Sequence, residues 1–202
     1  MTSRDKFVHA LLFVLFGILV PWFKGLPFMD LQLLTVYSCL GFLFVSPRVV
    51  DDVFGASKRV ELLSLAKSIA YGWIASIVMI ALGLITVNIG LPRRVLPPVV
   101  VLLSLAILSL LLSIIVGSLS AVVAQQSTTP DKAKSILRIS FLLLLCVMLA
   151  APRLLSDSLQ DQFLSLTMAD KFAWFTLWSA PILAMSAAAS VVWAVRRGKL
   201  VN

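Results

Sequence analysis

The longest uncharged stretch of this sequence, residues 95–130, constrains the fold more than any other feature. It contains no charged side chain, and Arg94 precedes it while Asp131 follows it. At about 1.5 Å per residue, a helix over residues 99–124 would be longer than the hydrocarbon core of a bilayer, which is roughly 30 Å thick. The stretch therefore predicts a membrane-spanning helix around which the other segments pack.

Small side chains recur every fourth residue along this predicted helix. Such a row lets the backbone of a neighbouring helix approach closely, although Ser and Gly are also common in membrane helices without that role. The row consists of Ser109, Ser113, Gly117 and Ala121. Near the C-terminus a second row with the same spacing, Ala180, Ala184 and Ala188 after Thr176, predicts another helix-packing face.

The composition agrees with a membrane protein. A mean hydropathy of +1.05, with 60% apolar and 13% charged residues, exceeds what the core of a soluble protein of 202 residues requires. The net charge of +8 arises from short basic groups between apolar runs, which is typical of membrane topology rather than of nucleic-acid binding. We therefore expect a lipid bilayer as a partner and no nucleic acid.

Six apolar runs predict an all-α, polytopic bundle in which residues 1–202 form a single transmembrane domain. Turn-forming residues at Ser46, Pro47 and Arg48 are expected to end the second span. The predicted spans are residues 7–23, 31–45, 68–89, 97–124, 137–151 and 172–195.

Two of the connections between these spans carry further signals. In the basic connection, residues 48–67, Gly55 is expected to break the chain and Ser57 to cap a cytoplasmic helix that merges with span three. Residues 153–171 repeat apolar side chains at helical spacing between polar ones. This pattern predicts an amphipathic segment on the outer surface of the bilayer.

The distribution of basic residues predicts the orientation. The side that holds both termini and the connections after spans two and four collects about 12 of the 17 Lys and Arg residues, against about 5 on the other side. Both termini are therefore predicted to be cytoplasmic. The chain would lie in the cell membrane, which is the inner membrane if the protein is bacterial.

The sequence offers no pattern for catalysis or for a bound cofactor. No predicted span carries a carboxylate, His or Lys near its middle, and Arg138 is close enough to a span end to reach the cytoplasmic surface. There is no Gly-rich phosphate loop or Ser/His/Asp set, and Cys39, Cys146 and His9 lack the spacing of a metal site. We expect no enzymatic activity, no cofactor, no metal and no ion-coupled transport in this chain.

The order of these parts resembles that of the type-2 ABC exporter permeases, including the haem-exporter B-type permeases of cytochrome c maturation. Residues 51–67 look like the cytoplasmic coupling helix between spans two and three of that family. Residues 152–170 look like the helical segment that precedes its sixth span. The amphipathic helix that usually precedes the first span of the family has no counterpart in the six residues before Phe7.

This resemblance implies a membrane-spanning permease subunit of an ATP-driven exporter for an amphipathic or lipid-linked substrate. A separate soluble ATPase subunit would hydrolyse the nucleotide, and a second permease subunit would complete a homodimer or heterodimer. The charged residues that would meet the ATPase are Asp51, Asp52, Lys58, Arg59 and Glu61.

The alternative is a non-transporting membrane subunit that anchors or assembles a larger complex, since small-residue rows and sparse polar chemistry fit that role equally well. An uncoupled channel and a membrane enzyme are further alternatives.

Overall fold

The computed structural model describes residues 42–88, 99–150 and 165–200, and in these ranges the regular structure is entirely helical. The predicted all-α class is therefore confirmed for this part of the chain. The predicted span 7–23, almost all of span 31–45 and most of the predicted amphipathic segment lie outside the described residues. The helices are α1 (Phe42–Gly55), α2 (Leu62–Asn88), α3 (Val99–Gln126), α4 (Pro130–Ala150) and α5 (Met168–Leu200).

Two helices of the described chain are long and apolar enough to cross a membrane. They are α3, over its whole length, and the part of α5 from Thr176 to Arg197. A shorter apolar stretch, Leu62–Val78, lies within α2. By length and composition these helices suggest a membrane protein, and they do not support the predicted count of six spans.

Helix α3 lies at the centre of the described helices, because it packs against all four others. Helix α1 also packs against α2 and α4. A buried apolar core forms where the C-terminal parts of α1, α3 and α5 meet the N-terminal parts of α2 and α4. This core contains Val45, Val49, Val50, Val53, Leu65, Ala121, Val122, Ala124, Ala133 and Ala194.

Helix α1 does not end where the sequence predicted. It continues through Pro47 and Arg48 to Gly55, so Ser46, Pro47 and Arg48 do not break the helix as their turn signal predicted. Pro47 removes one backbone hydrogen-bond donor from the helix. The turns beyond it bury Val49, Val50 and Val53, all at most 3% exposed, and this packing favours helix continuation over the local break.

The turn between α1 and α2 also differs from the prediction. Gly55 remains helical, whereas Ser57 and Lys58 adopt positive φ angles of 52° and 66°. Lys58 N donates to Val53 O at 2.7 Å and Ser57 N donates to Phe54 O at 3.3 Å, which is the paired arrangement that closes a helix C-terminus. Ser57 thus terminates α1 instead of capping α2, and α2 then runs unbroken from Leu62 to Asn88.

Threonine caps set the starts of α4 and α5 earlier than predicted. Thr129 Oγ1 accepts a hydrogen bond from Lys132 N at 3.3 Å, and Pro130 follows as the first residue of α4, where its missing N–H is not needed. Thr167 Oγ1 accepts from Asp170 N at 3.2 Å in the same way. The end of the predicted amphipathic segment, from Met168 onward, is therefore the first turn of α5.

Candidate functional site at the α1–α2 elbow

The elbow, defined as residues 48–67, holds the charged residues that the sequence singled out, and Asp52 joins its two helices. Its Oδ2 accepts hydrogen bonds from Ser64 Oγ and Ser68 Oγ, each at 2.9 Å. Ser68 is fully buried, and the two serines lie one turn apart on the same face of α2. Because the acceptor carries a charge, these bonds are stronger than neutral ones and fix the end of α1 against the start of α2.

Asp51 joins the elbow to α4. Its Oδ1 lies 2.6 Å from Lys134 Nζ, and the side chain of Lys134 is only 9% exposed whereas that of Asp51 is 40% exposed. Lysine is almost never this buried without a partner, because its ammonium loses most of its hydration. Asp51 therefore supplies the negative charge that lets Lys134 sit inside the bundle.

Lys58 joins the elbow to the end of α3. Its Nζ donates to the carbonyl oxygen of Ser127 at 2.9 Å, just beyond the last residue of α3. A cation at this position interacts favourably with the carbonyl groups that a helix leaves without partners at its C-terminus. The same ammonium lies 5.6 Å from the ring centre of Phe54, so its position is fixed from two sides.

Arg59 and Glu61 differ from the other three charged residues, because both side chains are exposed. They line a narrow cleft of about 30 Å³ between α1 and α2, together with apolar side chains that include Val49 and Leu65. Small-molecule sites usually enclose hundreds of cubic ångströms, so this cleft is too small for a substrate.

The first small-residue row lies in the interior of the described structure. Ser109, Ser113 and Ala121 have no exposed surface, and Gly117 is also buried. A Cβ atom added to Gly117 would lie 2.7 Å from Ile69 Cγ1 of α2 and 3.5 Å from Val45 Cγ1 of α1. At Gly117, therefore, α3 accepts close neighbours on two sides.

The second small-residue row is not the face that α5 buries within the chain. Ala180 is half-buried, while Ala184 and Ala188 are exposed. Among the residues of α5 whose burial the structure describes, Ala187, Ser190 and Ala194 are buried. Ala187 and Ala188 point about 100° apart around a helix, so the predicted row is rotated by roughly that angle from the residues that α5 buries among the described helices.

The residues that complete the elbow contacts were not recognised from the sequence. In the sequence, Lys134 is one of several basic residues that predict only the orientation, and Ser64 and Ser68 belong to no recognisable motif. Two serines one turn apart on an otherwise apolar helix face are a usable signal, because they require a polar partner once buried. The described residues include no group of three or more His, Cys, Asp or Glu side chains placed to hold a metal ion.

The chain matches no protein-family model, and it matches no curated protein and no solved structure. The geometry of the elbow and the surface of the helices are therefore the observations that bear on function.

Proposed function

We propose that the chain is an integral membrane protein with six spans and cytoplasmic termini that serves as the permease subunit of an ATP-driven exporter. Its partners would be a separate soluble ATPase and a second permease subunit. The transported molecule would be amphipathic or lipid-linked, because the predicted spans offer no fixed charge near their middle.

The surface of the described helices supports the membrane part of this proposal. Large apolar side chains on α5 are widely exposed, including Leu177 at 72%, Met185 at 67% and Trp178 at 64%. Proteins in water rarely expose apolar residues in such continuous series, whereas lipid chains cover them without cost. Trp174 and Trp178, with ring centres 6.3 Å apart, lie near the start of α5, where tryptophan commonly marks a membrane interface.

The contacts between the elbow and other helices are the main observation in support of ATPase coupling. Asp52 binds α2, Asp51 binds α4 and Lys58 binds the end of α3. A force applied to the exposed turn would therefore act on the ends of all three helices together. Such concerted displacement of packed helices is a common way to switch a membrane pathway between two states.

Arg59 and Glu61 provide the test of ATPase docking. Replacing both with Ala removes the two exposed charges nearest the turn between α1 and α2 while leaving the internal contacts of the elbow in place, so the change in stability should stay within about 0.5 kcal/mol. Association with an ATPase should weaken strongly, because interfacial charges steer the encounter and fix its register. The measurement is ATP hydrolysis recovered with the affinity-purified chain from its native membranes.

Lys132→Ala is the matched control, since Lys132 is an exposed cation on α4 outside the elbow. It should leave the recovered ATP hydrolysis unchanged. Full recovery with the Arg59→Ala/Glu61→Ala variant would refute docking at the elbow.

The anchoring role is the second proposal, and two serine hydroxyl groups of α3 favour it. Ser109 Oγ donates to Ala106 O at 3.0 Å and Ser118 Oγ donates to Ile114 O at 2.8 Å, so these side chains bond to their own helix. Hydroxyls used in this way support packing rather than a polar path. If the chain only anchors other subunits, wild-type protein should recover no ATP hydrolysis, and Ala184→Leu, at an exposed position of α5, should release its partners.

A further inference from the structure

A cationic surface lies where α1 passes the N-terminal half of α2. The guanidinium carbon of Arg48 is 4.7 Å from the ring centre of Tyr71, a distance typical of a cation–π contact. Lys67 precedes Tyr71 by one helical turn, which places the two side chains on the same face of α2. All three side chains are exposed, and we call these residues the cationic face.

The two positive charges of the cationic face are not neutralised within the described residues. No ion pair there joins Arg48 or Lys67 to a carboxylate. The nearest acidic residues along α1 have other contacts, because Asp51 pairs with Lys134 and Asp52 accepts from two serines. The cationic face therefore presents a local excess of positive charge to its surroundings.

An exposed apolar strip continues directly from the cationic face along α2. Lys67 is the last charged residue of this helix, since residues 68–88 carry none. Ile74 and Val78 follow at helical spacing on the same side and are 58% and 51% exposed. One surface thus combines two cations, a phenol hydroxyl and then an apolar track, in the order in which a phospholipid presents its headgroup and acyl chain.

We propose that the cationic face binds an anionic glycerophospholipid of the cytoplasmic leaflet. Arg48 and Lys67 contact the phosphate, and Tyr71 holds the guanidinium in place and offers its hydroxyl as a further donor. One acyl chain lies along Ile74 and Val78. The proposal rests on the membrane location and on the cytoplasmic side of the elbow in the proposed function, but not on the ATPase. A free phosphate ion would satisfy the cations alone, whereas a lipid also covers the apolar strip.

Lipid binding can be measured by native mass spectrometry of the full-length chain released from a neutral detergent. The probes are phosphatidylglycerol, which is anionic, and phosphatidylcholine, which is not. We expect wild-type protein to retain phosphatidylglycerol in preference to phosphatidylcholine. Arg48→Gln and Lys67→Gln should each weaken phosphatidylglycerol binding about fivefold, and the double variant about 25-fold, as expected for the loss of one or two cations near an anionic lipid surface.

Two control variants separate this surface from general charge effects. Arg59→Gln removes another exposed elbow cation that is not part of the cationic face, and it should leave lipid binding unchanged. Lys67→Arg keeps the positive charge and should bind phosphatidylglycerol nearly as well as the wild type.

Undiminished binding by the Arg48→Gln/Lys67→Gln variant would overturn the proposal. Displacement of the lipid by soluble glycerol 1-phosphate at equal concentration would also overturn it, because the site would then recognise a free phosphate. Alkaline carbonate extraction of native membranes tests separately whether the chain is embedded in a membrane. Release of the wild-type chain would refute its membrane location, whereas a retained chain without lipid preference would refute only the cationic face.

Discussion

Replacing Gly117 with Ala should destabilise the helix bundle, although the same change in an open helical position is stabilising. The added Cβ would lie 2.7 Å from Ile69 Cγ1 and 3.2 Å from Ile69 Cδ1. Carbon atoms pack best at about 3.5–4.0 Å, so the methyl group overlaps Ile69 by nearly 1 Å. Cγ1 lies close to the α2 backbone, and relief therefore requires a change of rotamer or a shift of α2.

The magnitude follows from two opposing effects. Ala in place of Gly in a helix stabilises by roughly 0.5–1 kcal/mol, because it lowers the entropy of the unfolded chain. Inserting a methyl group into a packed contact costs roughly 1–3 kcal/mol. We expect a net loss of about 1 kcal/mol for Gly117→Ala and a larger loss for Gly117→Leu.

Gly55 supplies a matched control within the same chain. It is the last residue of α1, and an added Cβ there meets no atom within 4 Å. Gly55→Ala should therefore be neutral or stabilising by up to about 1 kcal/mol. The backbone entropy term is similar in the two Gly→Ala variants. The difference between their stabilities therefore mainly measures the overlap of the added methyl group with Ile69.

Thermal unfolding in detergent, followed by the fluorescence of the five tryptophans, measures this difference. The expected order of Tm is Gly55→Ala at or above wild type and Gly117→Ala below it. Leu119→Ala, at a 38% exposed position outside the small-residue row, should lower Tm less than Gly117→Leu. A Tm for Gly117→Ala at or above that of Gly55→Ala would refute the close approach of α2 to α3.

The elbow contacts give two further stability predictions that the same unfolding assay can check. Asp52→Ala should lower the free energy of unfolding by about 2–4 kcal/mol, because it removes two charge-assisted hydrogen bonds and leaves the buried Ser68 hydroxyl without a partner. Asp52→Asn keeps an acceptor oxygen and should recover part of this loss. Asp51→Ala should lower the free energy of unfolding by about 1–3 kcal/mol, because it leaves the buried ammonium of Lys134 unpaired. Lys134→Met should lower it less, because it leaves only the carboxylate of Asp51, which water reaches. Equal stability of Asp52→Ala and wild type would contradict the role of Asp52 between α1 and α2. A larger loss of stability for Lys134→Met than for Asp51→Ala would contradict the buried ion pair.

Helix positions were predictable from the sequence where charge and length decide them. The predicted fourth span, residues 97–124, and the observed α3, Val99–Gln126, differ by two residues at each end. Charged residues are absent from this stretch, so few alternatives to a long apolar helix exist. The sequence also predicts that a helix of the elbow continues into the third span, and α2 is indeed one continuous helix.

The end of α1 and the packing face of α5 were not predictable, because tertiary packing determines both. Pro47 is a strong local signal for a break, yet burial of three valines beyond it maintains the helix. The sequence of α5 contains small residues on more than one side, so spacing alone could not distinguish Ala184 and Ala188 from Ala187 and Ala194. Among the described helices, packing against α3 selects one side of α5.

The roles of the elbow charges depended on partners in other parts of the chain. The resemblance to the exporter permeases implies that Asp51, Asp52 and Lys58 meet the ATPase together with Arg59 and Glu61. The structure instead uses the first three between helices, with Lys134, Ser64, Ser68 and Ser127. Local sequence patterns do not specify contacts between residues so far apart in the chain. A charged residue outside a predicted span is therefore expected to be exposed to water, because charged residues are rarely buried without a partner.

The most direct test of the central claim, a membrane bundle with its elbow on the cytoplasmic side, is thiol labelling at Thr128. This exposed residue follows Ser127, whose carbonyl oxygen binds Lys58, so a probe there reports the side on which the elbow lies. After removal of Cys39 and Cys146, Thr128→Cys should resist an impermeant thiol reagent in intact cells and react once the cells are permeabilised, while Ser158→Cys should react in intact cells. Labelling of Thr128→Cys but not Ser158→Cys in intact cells would contradict the orientation, and equal labelling of both sites would contradict a membrane between them.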